Sequence, residues 1–282
     1  MLVNLNDVLL DAQKNHYGVG LFNTTDSDML EAVISAAEEL RSPVIIGTAE
    51  VLLPYGDLPL IAPSMLYAAK HASVPVVVHY DHGLTFERCL QALKLGFSSV
   101  MFDGSANDME QNLKETAEMV RIAHAFGATV EGEIGHVGSA DVGDNEVEDM
   151  YTTPEEAKAF VDATGVDALA VAIGTAHGAY KSKPKLDIAR LQQISSTIPT
   201  PLVLHGGSGL SDDDFRNTIK NGVAKINIYT DLCIRGERMM KEFATEGTMG
   251  MNGYLTVRNK KVEAMKAETM KKMLLFGSDG KA

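Results

Sequence analysis

The stretch LVLHGGSGLSDDDFRNTIKNGVAKINI, residues 202–228, carries one complete repeat of the chain's architecture. Leu202–His205 is a short apolar run ending on a histidine, the pattern of a strand covered on both faces. Gly206-Gly207-Ser208-Gly209 interrupts it. Ser211 then reads as a helix N-cap, with Asp212, Asp213 and Asp214 where the helix dipole is positive. Beyond that helix, Ala224–Ile228 is a second apolar run. Strand, helix and strand in such short order imply two parallel strands joined by a right-handed crossover.

The same alternation runs outward to both ends. Further strands are expected at Tyr17–Phe22, Pro43–Gly47, Pro75–His79, Ser98–Phe102, Thr129–Glu133 and Ala168–Ile173. Between them, Met29, Val33, Ala36, Ala37 and Leu40 form one apolar helical stripe, and Met109, Leu113, Ala117 and Val120 another. Thr153-Pro154-Glu155-Glu156 is a helix start, with a capping box and proline in the first turn. About eight strand–helix units in 282 residues fit an α/β fold, a single (β/α)8 barrel domain over residues 1–282. A C-terminal helix over Thr256–Leu275 extends it. A doubly wound open sheet is the structural alternative. Against it, no G-x-G-x-x-G follows the first strand and no G-x-x-x-x-G-K-[ST] occurs. Gly135–Thr152 lacks an obvious element and is long for a connection, as active-site segments often are.

Composition excludes several classes. With 25 Lys+Arg against 38 Asp+Glu the net charge is −13, which argues against nucleic-acid or anionic-membrane partners. The two cysteines, Cys89 and Cys233, cannot build a disulfide framework and point to a reducing, cytoplasmic setting. Met1–Leu10 has no signal-peptide core, and no apolar run is long enough to span a membrane.

In a barrel, chemistry gathers at the C-terminal ends of the strands. Asp81 and His82 follow the third strand and Asp103 the fourth. Glu131 and Glu133 end the fifth, His177 lies just past the sixth, His205 ends the seventh, and Asn227 to Thr230 close the eighth. His82, His177 and His205 are each followed by glycine at the ends of separate strands. Three neutral imidazoles with one open position describe a catalytic zinc site. His16, His71 and His124 fall on the N-terminal segment or on helices and read as structural or surface residues; His79 reads as packed within its strand.

Glu131 and Glu133, two apart, face the same side of the sheet. Inside a barrel such carboxylates need a cation, donors or water, and a salt-bridged pair is the plain alternative. Asp103 with Glu133 makes a second, oxygen-rich cation position. The glycine cluster at 206–209 and the Asn227–Thr230 segment follow strands seven and eight, where barrels hold phosphate on backbone N–H groups and a helix N-terminus. Plain turns are the alternative there.

These residues lie in strings that carry a resemblance. HYDHG (79–83), VEGEIGHVG (130–138), AVAIGTAHGAY (170–180), LVLHGGSGL (202–210) and KINIYTDL (225–232) resemble the class II, zinc-dependent ketose-bisphosphate aldolases, in order over nearly the whole chain. The ending LFGSDGKA (275–282) looks most like the tagatose-bisphosphate branch. The resemblance implies a catalytic zinc on His82, His177 and His205, and Asp81 as proton donor at the bond being broken. It implies a second or displaced divalent metal at Asp103 and Glu133. Gly178, Gly206, Gly207, Ser208, Asn227, Ile228, Tyr229 and Thr230 would bind dihydroxyacetone phosphate, with a monovalent cation (Na+ or K+) near the phosphate. The implied substrate is a sugar phosphate, a ketose 1,6-bisphosphate of fructose or tagatose type, and the implied assembly a homodimer or homotetramer.

The chain also departs from the family pattern. Gly138-Ser139-Ala140-Asp141-Val142 stands where relatives carry Gly-Gly-(Glu/Gln)-Glu-Asp, so the loop acid that moves the dihydroxyacetone phosphate proton corresponds to Asp141, or to Glu146 or Glu148. Ala49 replaces a frequent serine, and Tyr229 is larger than usual. These changes leave open whether the aldehyde half carries a phosphate. Three rival readings stand beside the zinc aldolase: a Schiff-base aldolase using Lys225 or Lys181, a zinc hydrolase, and a sugar-phosphate-binding barrel without catalysis. The hydrolase lacks a His-x-His on the first strand, where Phe22-Asn23 stands.

Overall fold

The computed structural model describes residues 1–135, 138–139, 151–177, 184–244 and 249–282, without the side chains of 138, 139, 177 and 244. From the N-terminus it runs β1 (Leu2–Val3), α1 (Leu5–Asn15), β2 (Val19–Asn23), α2 (Ser27–Leu40) and β3 (Val44–Ala49). A 3-10 turn (Glu50–Tyr55) leads to α3 (Leu58–His71), β4 (Val76–Gly83), α4 (Phe86–Leu95) and β5 (Ser99–Phe102). Next come α5 (Met109–Ala125), β6 (Thr129–Ile134), β7 (Gly138–Ser139), α6 (Pro154–Thr164), β8 (Ala168–Val171) and β9 (Ala176–His177). The chain ends with α7 (Ile188–Thr197), β10 (Leu202–Leu204), α8 (Asp212–Lys220), β11 (Val223–Ile228), α9 (Thr230–Ala244) and α10 (Met251–Phe276).

Eight strands pair in the order β4-β3-β2-β11-β10-β8-β6-β5, all parallel, and β5 pairs back onto β4. That closure makes a (β/α)8 barrel. β1 adds to β4, and β7 pairs with β9 as a small separate ribbon. The eight barrel strands overlap the eight sequence expectations, and the capping boxes at Thr153 and Ser211 form as expected.

Period-two alternation divides each strand between two cores. One side, with Phe22, Ile46, Val78, Tyr80, Val100 and Leu204, packs between barrel and helices. The other side forms the base of the barrel interior from Val19, Leu21, Ile45, Val77, Ala170 and Val203, against which α1 lays Leu5, Val8, Leu9 and Ala12. The polar residues at the N-terminus are what make α1 a helix: Asn4 and Asp7 form its capping box, and Leu5 N donates to Thr129 Oγ1 at 3.1 Å. Helix α10 begins five residues before the expected Thr256. It is tied to the barrel by Arg258 and Lys261 on Asp28, Lys266 on Glu39 and Lys272 on Asp231. Among the described residues, no helix is long and apolar enough to cross a membrane.

Candidate active site

A cavity of about 500 Å³ opens where the strands end. Asp81, His82, Asp103, Glu133, Ser208 and Asn227 all line it, although they come from strands or loops far apart in sequence. Adjacent strand residues ordinarily face opposite sides, yet Asp81 and His82 both reach the cavity. The backbone explains this. His82 adopts a left-handed conformation (φ 47°), and the β4–β5 register is irregular between Tyr80 and Gly83. A non-glycine residue rarely holds that conformation unless its surroundings impose it. Gly83 permits the tight exit, because a Cβ there would lie 2.4 Å from Cys89 Sγ.

Each of two imidazoles is held from behind by a carboxylate. His82 Nδ1 lies 2.7 Å from Asp103 Oδ2, and His205 Nε2 lies 2.8 Å from Glu131 Oε1. Asp103 is steadied in turn by the hydroxyl and amide of Ser105, at 2.6 and 3.1 Å. With those ring nitrogens turned to carboxylates, His82 Nε2 and His205 Nδ1 face one another at 2.8 Å. Two imidazole nitrogens at that distance need a proton or a metal cation between them.

The surrounding charges favour a cation. Burial works against charge on His82, but Asp81, Asp103 and Glu133 outweigh it and raise the imidazole to about 10. Burial, reinforced by repulsion from Asp103, pushes Glu133 up to about 8. Glu133 Oε2 is buried without a hydrogen-bond partner and stands 3.8 Å from His205 Nδ1. Ligand atoms of Asp81, His82 and His205, and of His82, Asp103 and Glu133, each gather within 4.8 Å. This donor set, two imidazoles with adjacent carboxylates, suits a divalent ion such as zinc.

Asp81 is held at the cavity by two amides. Asn23 Nδ2 donates to its Oδ2 at 2.9 Å, and Asn227 Nδ2 donates to Oδ1 and Oδ2 at 3.1 and 3.3 Å. Burial would raise its pKa, but His82, Lys225, His205 and His79 hold it well below the ordinary carboxylate range. Asp81 therefore stays an ionised base facing the cavity.

The two loops expected to hold phosphate pack directly against each other. A Cβ on Gly207 would come within 2.9 Å of Asn227 O. Ser208 Oγ accepts from the backbone N–H groups of Tyr229 and Asp231 at 3.3 and 3.4 Å, at the N-terminus of α9. Those N–H groups point to where an anion is favoured. Gly206, Gly207, Ser208, Asn227, Tyr229 and Thr230 line the cavity. Ile228 does not; its side chain is fully buried in the outer core.

Other sequence expectations fall in different places. His177 ends β9, beside the loop after His205: a Cβ on Gly206 would meet Ala176 O at 2.4 Å. The His177 side chain, Gly178, Lys181, Asp141, Glu146 and Glu148 lie outside the described residues. Glu131 Oε2 is salt-bridged to Lys225 at 2.8 Å, whereas Glu133 Oε2 stands 3.8 Å from His205 Nδ1. Lys225 is fully buried and does not line the cavity, which is unfavourable for a Schiff base. His79 sits inside its strand, with Nδ1 2.8 Å from Ser99 Oγ.

Sequence reasoning missed Asn23, whose signal was an amide closing an otherwise apolar strand. It also missed Glu50, which accepts from Leu84 N at 2.9 Å and Tyr80 OH at 3.1 Å. That bridge fixes an apolar rim of Ala49, Val51, Leu52 and Leu84 beside the polar cluster.

Comparison with known proteins places the chain in one group. The family model described as fructose-bisphosphate aldolase class-II matches residues 3–281. The fructose-bisphosphate aldolase of Thermus caldophilus is 40% identical, with all of both chains covered. The 6-phospho-5-dehydro-2-deoxy-D-gluconate aldolase of Shouchella clausii is 39% identical over 99% of this chain and 96% of that protein. The crystal structure of the YdjI aldolase from Escherichia coli K12 superposes with a TM-score of 0.90 at 38% identity, covering both chains completely.

Proposed function

The chain belongs to the class II fructose-bisphosphate aldolase family, hence to the carbon–carbon lyases, and from that premise we propose that it is a zinc-dependent aldolase. The reaction proposed is reversible cleavage of a ketose 1,6-bisphosphate, of fructose or tagatose type, into dihydroxyacetone phosphate and an aldehyde such as glyceraldehyde 3-phosphate. The observation that carries this reading is the close approach of two imidazole nitrogens, His82 Nε2 and His205 Nδ1 at 2.8 Å, beside an ionised Asp81.

His82 and His205, with His177 as third ligand, would hold the zinc, and Asp103 and Glu133 would hold a second or displaced divalent ion. When bound, the metal supplies Lewis acidity toward the sugar's C2 and C3 oxygens, lowering the cost of negative charge as the C3–C4 bond breaks. Asp81 takes the C4 hydroxyl proton in cleavage and returns it in synthesis. Asn23 and Asn227 keep that carboxylate turned toward the reacting hydroxyl. Asp141 is the proposed group that delivers a proton to C3. The Gly206–Ser208 loop and the N-terminus of α9 orient the C1 phosphate through backbone N–H groups, with Gly178 and a monovalent cation completing the site. The assembly is proposed as a homodimer or homotetramer, and the location as cytoplasmic.

A second reading concerns the aldehyde alone: a ketose phosphate whose aldehyde product carries no phosphate. It is supported by the apolar rim of Ala49, Val51, Leu52 and Leu84, and by the Shouchella relative named for a deoxygluconate phosphate. One experiment tests both readings. Purified protein, chelated and then reloaded with zinc, is assayed for aldol synthesis with dihydroxyacetone or its phosphate, against phosphorylated and plain aldehydes. Zinc-restored activity that needs the phosphorylated donor supports the aldolase reading. Full activity in metal-free protein, or equal rates with both donors, refutes it. Strict use of glyceraldehyde 3-phosphate refutes the second reading.

A further inference from the structure

Lys225 is fully buried inside the barrel, beneath the cavity rather than in it. Its Nζ lies 2.8 Å from Glu131 Oε2 and donates to Asn227 Oδ1 at 2.7 Å. Each partner faces a different half of the site. The other oxygen of Glu131 meets His205 Nε2 at 2.8 Å. The other end of the Asn227 amide donates to Asp81 at 3.1 and 3.3 Å. His79 flanks Glu131 and Asp81 at 3.7 and 3.9 Å, too far for a hydrogen bond to either.

Two physical arguments give this arrangement meaning. A carboxamide fits its site in either of two orientations, with oxygen and nitrogen exchanged. In the wrong orientation Asn227 would present an oxygen to the Asp81 carboxylate, and a cation on Oδ1 removes that choice. A buried carboxylate is strongly disfavoured without a paired charge, so Glu131 can hold the Nε2–H of His205 only while Lys225 stands behind it. With Nε2 protonated, Nδ1 of His205 keeps its lone pair toward His82.

We propose that Lys225 is a positioning residue that aligns both halves of the site at once, His205 through Glu131 and Asp81 through the Asn227 amide. The inference rests on the zinc-aldolase reading above. It assigns Lys225 no covalent role. It also assigns Glu131 and Glu133, two residues apart on β6, different work: Glu131 supports a histidine, and Glu133 faces the cavity.

The test compares wild type with K225M, E131Q and the double variant K225M/E131Q. Zinc affinity is measured by competition with a chromophoric chelator. On zinc-saturated protein, kcat and KM are measured with the ketose phosphate that wild type cleaves, and thermal melting is recorded for all four. K225M should melt earlier, because Glu131 becomes a buried, unpaired charge; the double variant should recover much of that loss, since it buries none. Both should bind zinc about 10- to 100-fold more weakly, and kcat at saturating zinc should fall about 10- to 100-fold with little change in KM. E131Q should weaken zinc similarly but lose less kcat at saturation, because Lys225 still orients Asn227. A double variant that regains stability together with wild-type zinc affinity and kcat would overturn the inference, reducing Lys225 to a counter-charge. Equal kcat losses in E131Q and K225M would overturn the branch to Asp81. Should K225M fail to fold, the double variant carries the same comparison. A wild-type chain that neither binds zinc nor cleaves a ketose phosphate defeats the aldolase reading, and this inference falls with it.

Discussion

Val77 and Asp81 lie on one strand and face the same barrel interior, four residues apart, yet their surroundings are opposite. Around Val77 the interior is closed by aliphatic side chains from five other strands and by α1. Around Asp81 it is filled by carboxylates, imidazoles and amides that meet at 2.7–3.3 Å. The same step occurs on β2, from Leu21 to Asn23, and from Val203 on β10 to His205 just past its end. One end of the barrel gains from excluding water. The other end buries groups that are unfavourable to bury unless something binds there. Comparing the two ends separates residues that make the barrel from residues that use it.

That separation predicts the largest loss at the mouth with the least direct effect on the base. His205→Ala removes one facing nitrogen and leaves Glu131 without its imidazole. Two remaining imidazoles give an incomplete site, so zinc should fall below stoichiometric occupancy and aldol cleavage to background. Metal analysis after gel filtration, with a cleavage assay, checks this. A variant that keeps one zinc per chain and full activity would break the division between the two ends.

The next effect is smaller because it leaves the metal in place. Asp81→Ala should retain zinc yet lose about two to four orders of magnitude in kcat, the usual range for one general acid–base group. Loss of zinc from this variant would make Asp81 a ligand or a support for one, since its oxygen already lies within 4.8 Å of the His82 and His205 donors.

At the base the expectation inverts. Leu9→Ala on α1 opens a hole in the aliphatic plug and should cost about 2–5 kcal/mol of stability. Below the melting transition, zinc affinity and kcat should stay at wild-type values. Denaturant unfolding with kinetics at low denaturant distinguishes the outcomes. A large kcat loss in a folded Leu9→Ala protein would show that the base also tunes the mouth.

The two ends were not equally legible in sequence. All eight strands of the barrel declared themselves, because burial on both faces demands short Val- and Ile-rich runs between capped helices. Helix α1 did not, since its capping residues, Asn4 and Asp7, lie in a short N-terminal stretch that precedes the first expected strand. At the mouth, His82, His205, Asp81 and Asp103 could be placed from strand ends and motif strings. What could not be read is which neighbour satisfies which group. Lys225 pairs with Glu131 rather than facing a substrate, and Asp103 backs His82 besides standing near Glu133. Those pairings depend on the register between strands that are distant in sequence. The left-handed turn at His82 is likewise invisible in a string of letters, although it is what lets neighbours 81 and 82 face one cavity.

The smallest effect concerns the amide that sequence reasoning overlooked. Asn23 stands one step above Leu21 on β2 and supplies one of the two amides that hold Asp81. Its Oδ1 is buried without a hydrogen-bond partner, so the residue is kept for its NH2 end or for a group that binds in the cavity. Asn23→Ala leaves the Asn227 clamp intact, and Asp81 remains ionised but less restrained. Hydrogen bonds to a charged group contribute roughly 1.5–3 kcal/mol, and a nearby water can replace part of one. The expected loss in kcat is therefore about tenfold, near the low end of that range, with zinc affinity unchanged. Asn23→Asp is the sharper companion. It keeps the size but sets a second carboxylate about 3 Å from Asp81, where like charges disfavour ionisation. The pH at which kcat reaches half its maximum should then move upward relative to wild type. If Asn23→Asp leaves that midpoint in place while Asn23→Ala still loses tenfold, Asn23 acts on the substrate directly, and Asn227 alone remains as the amide that positions Asp81.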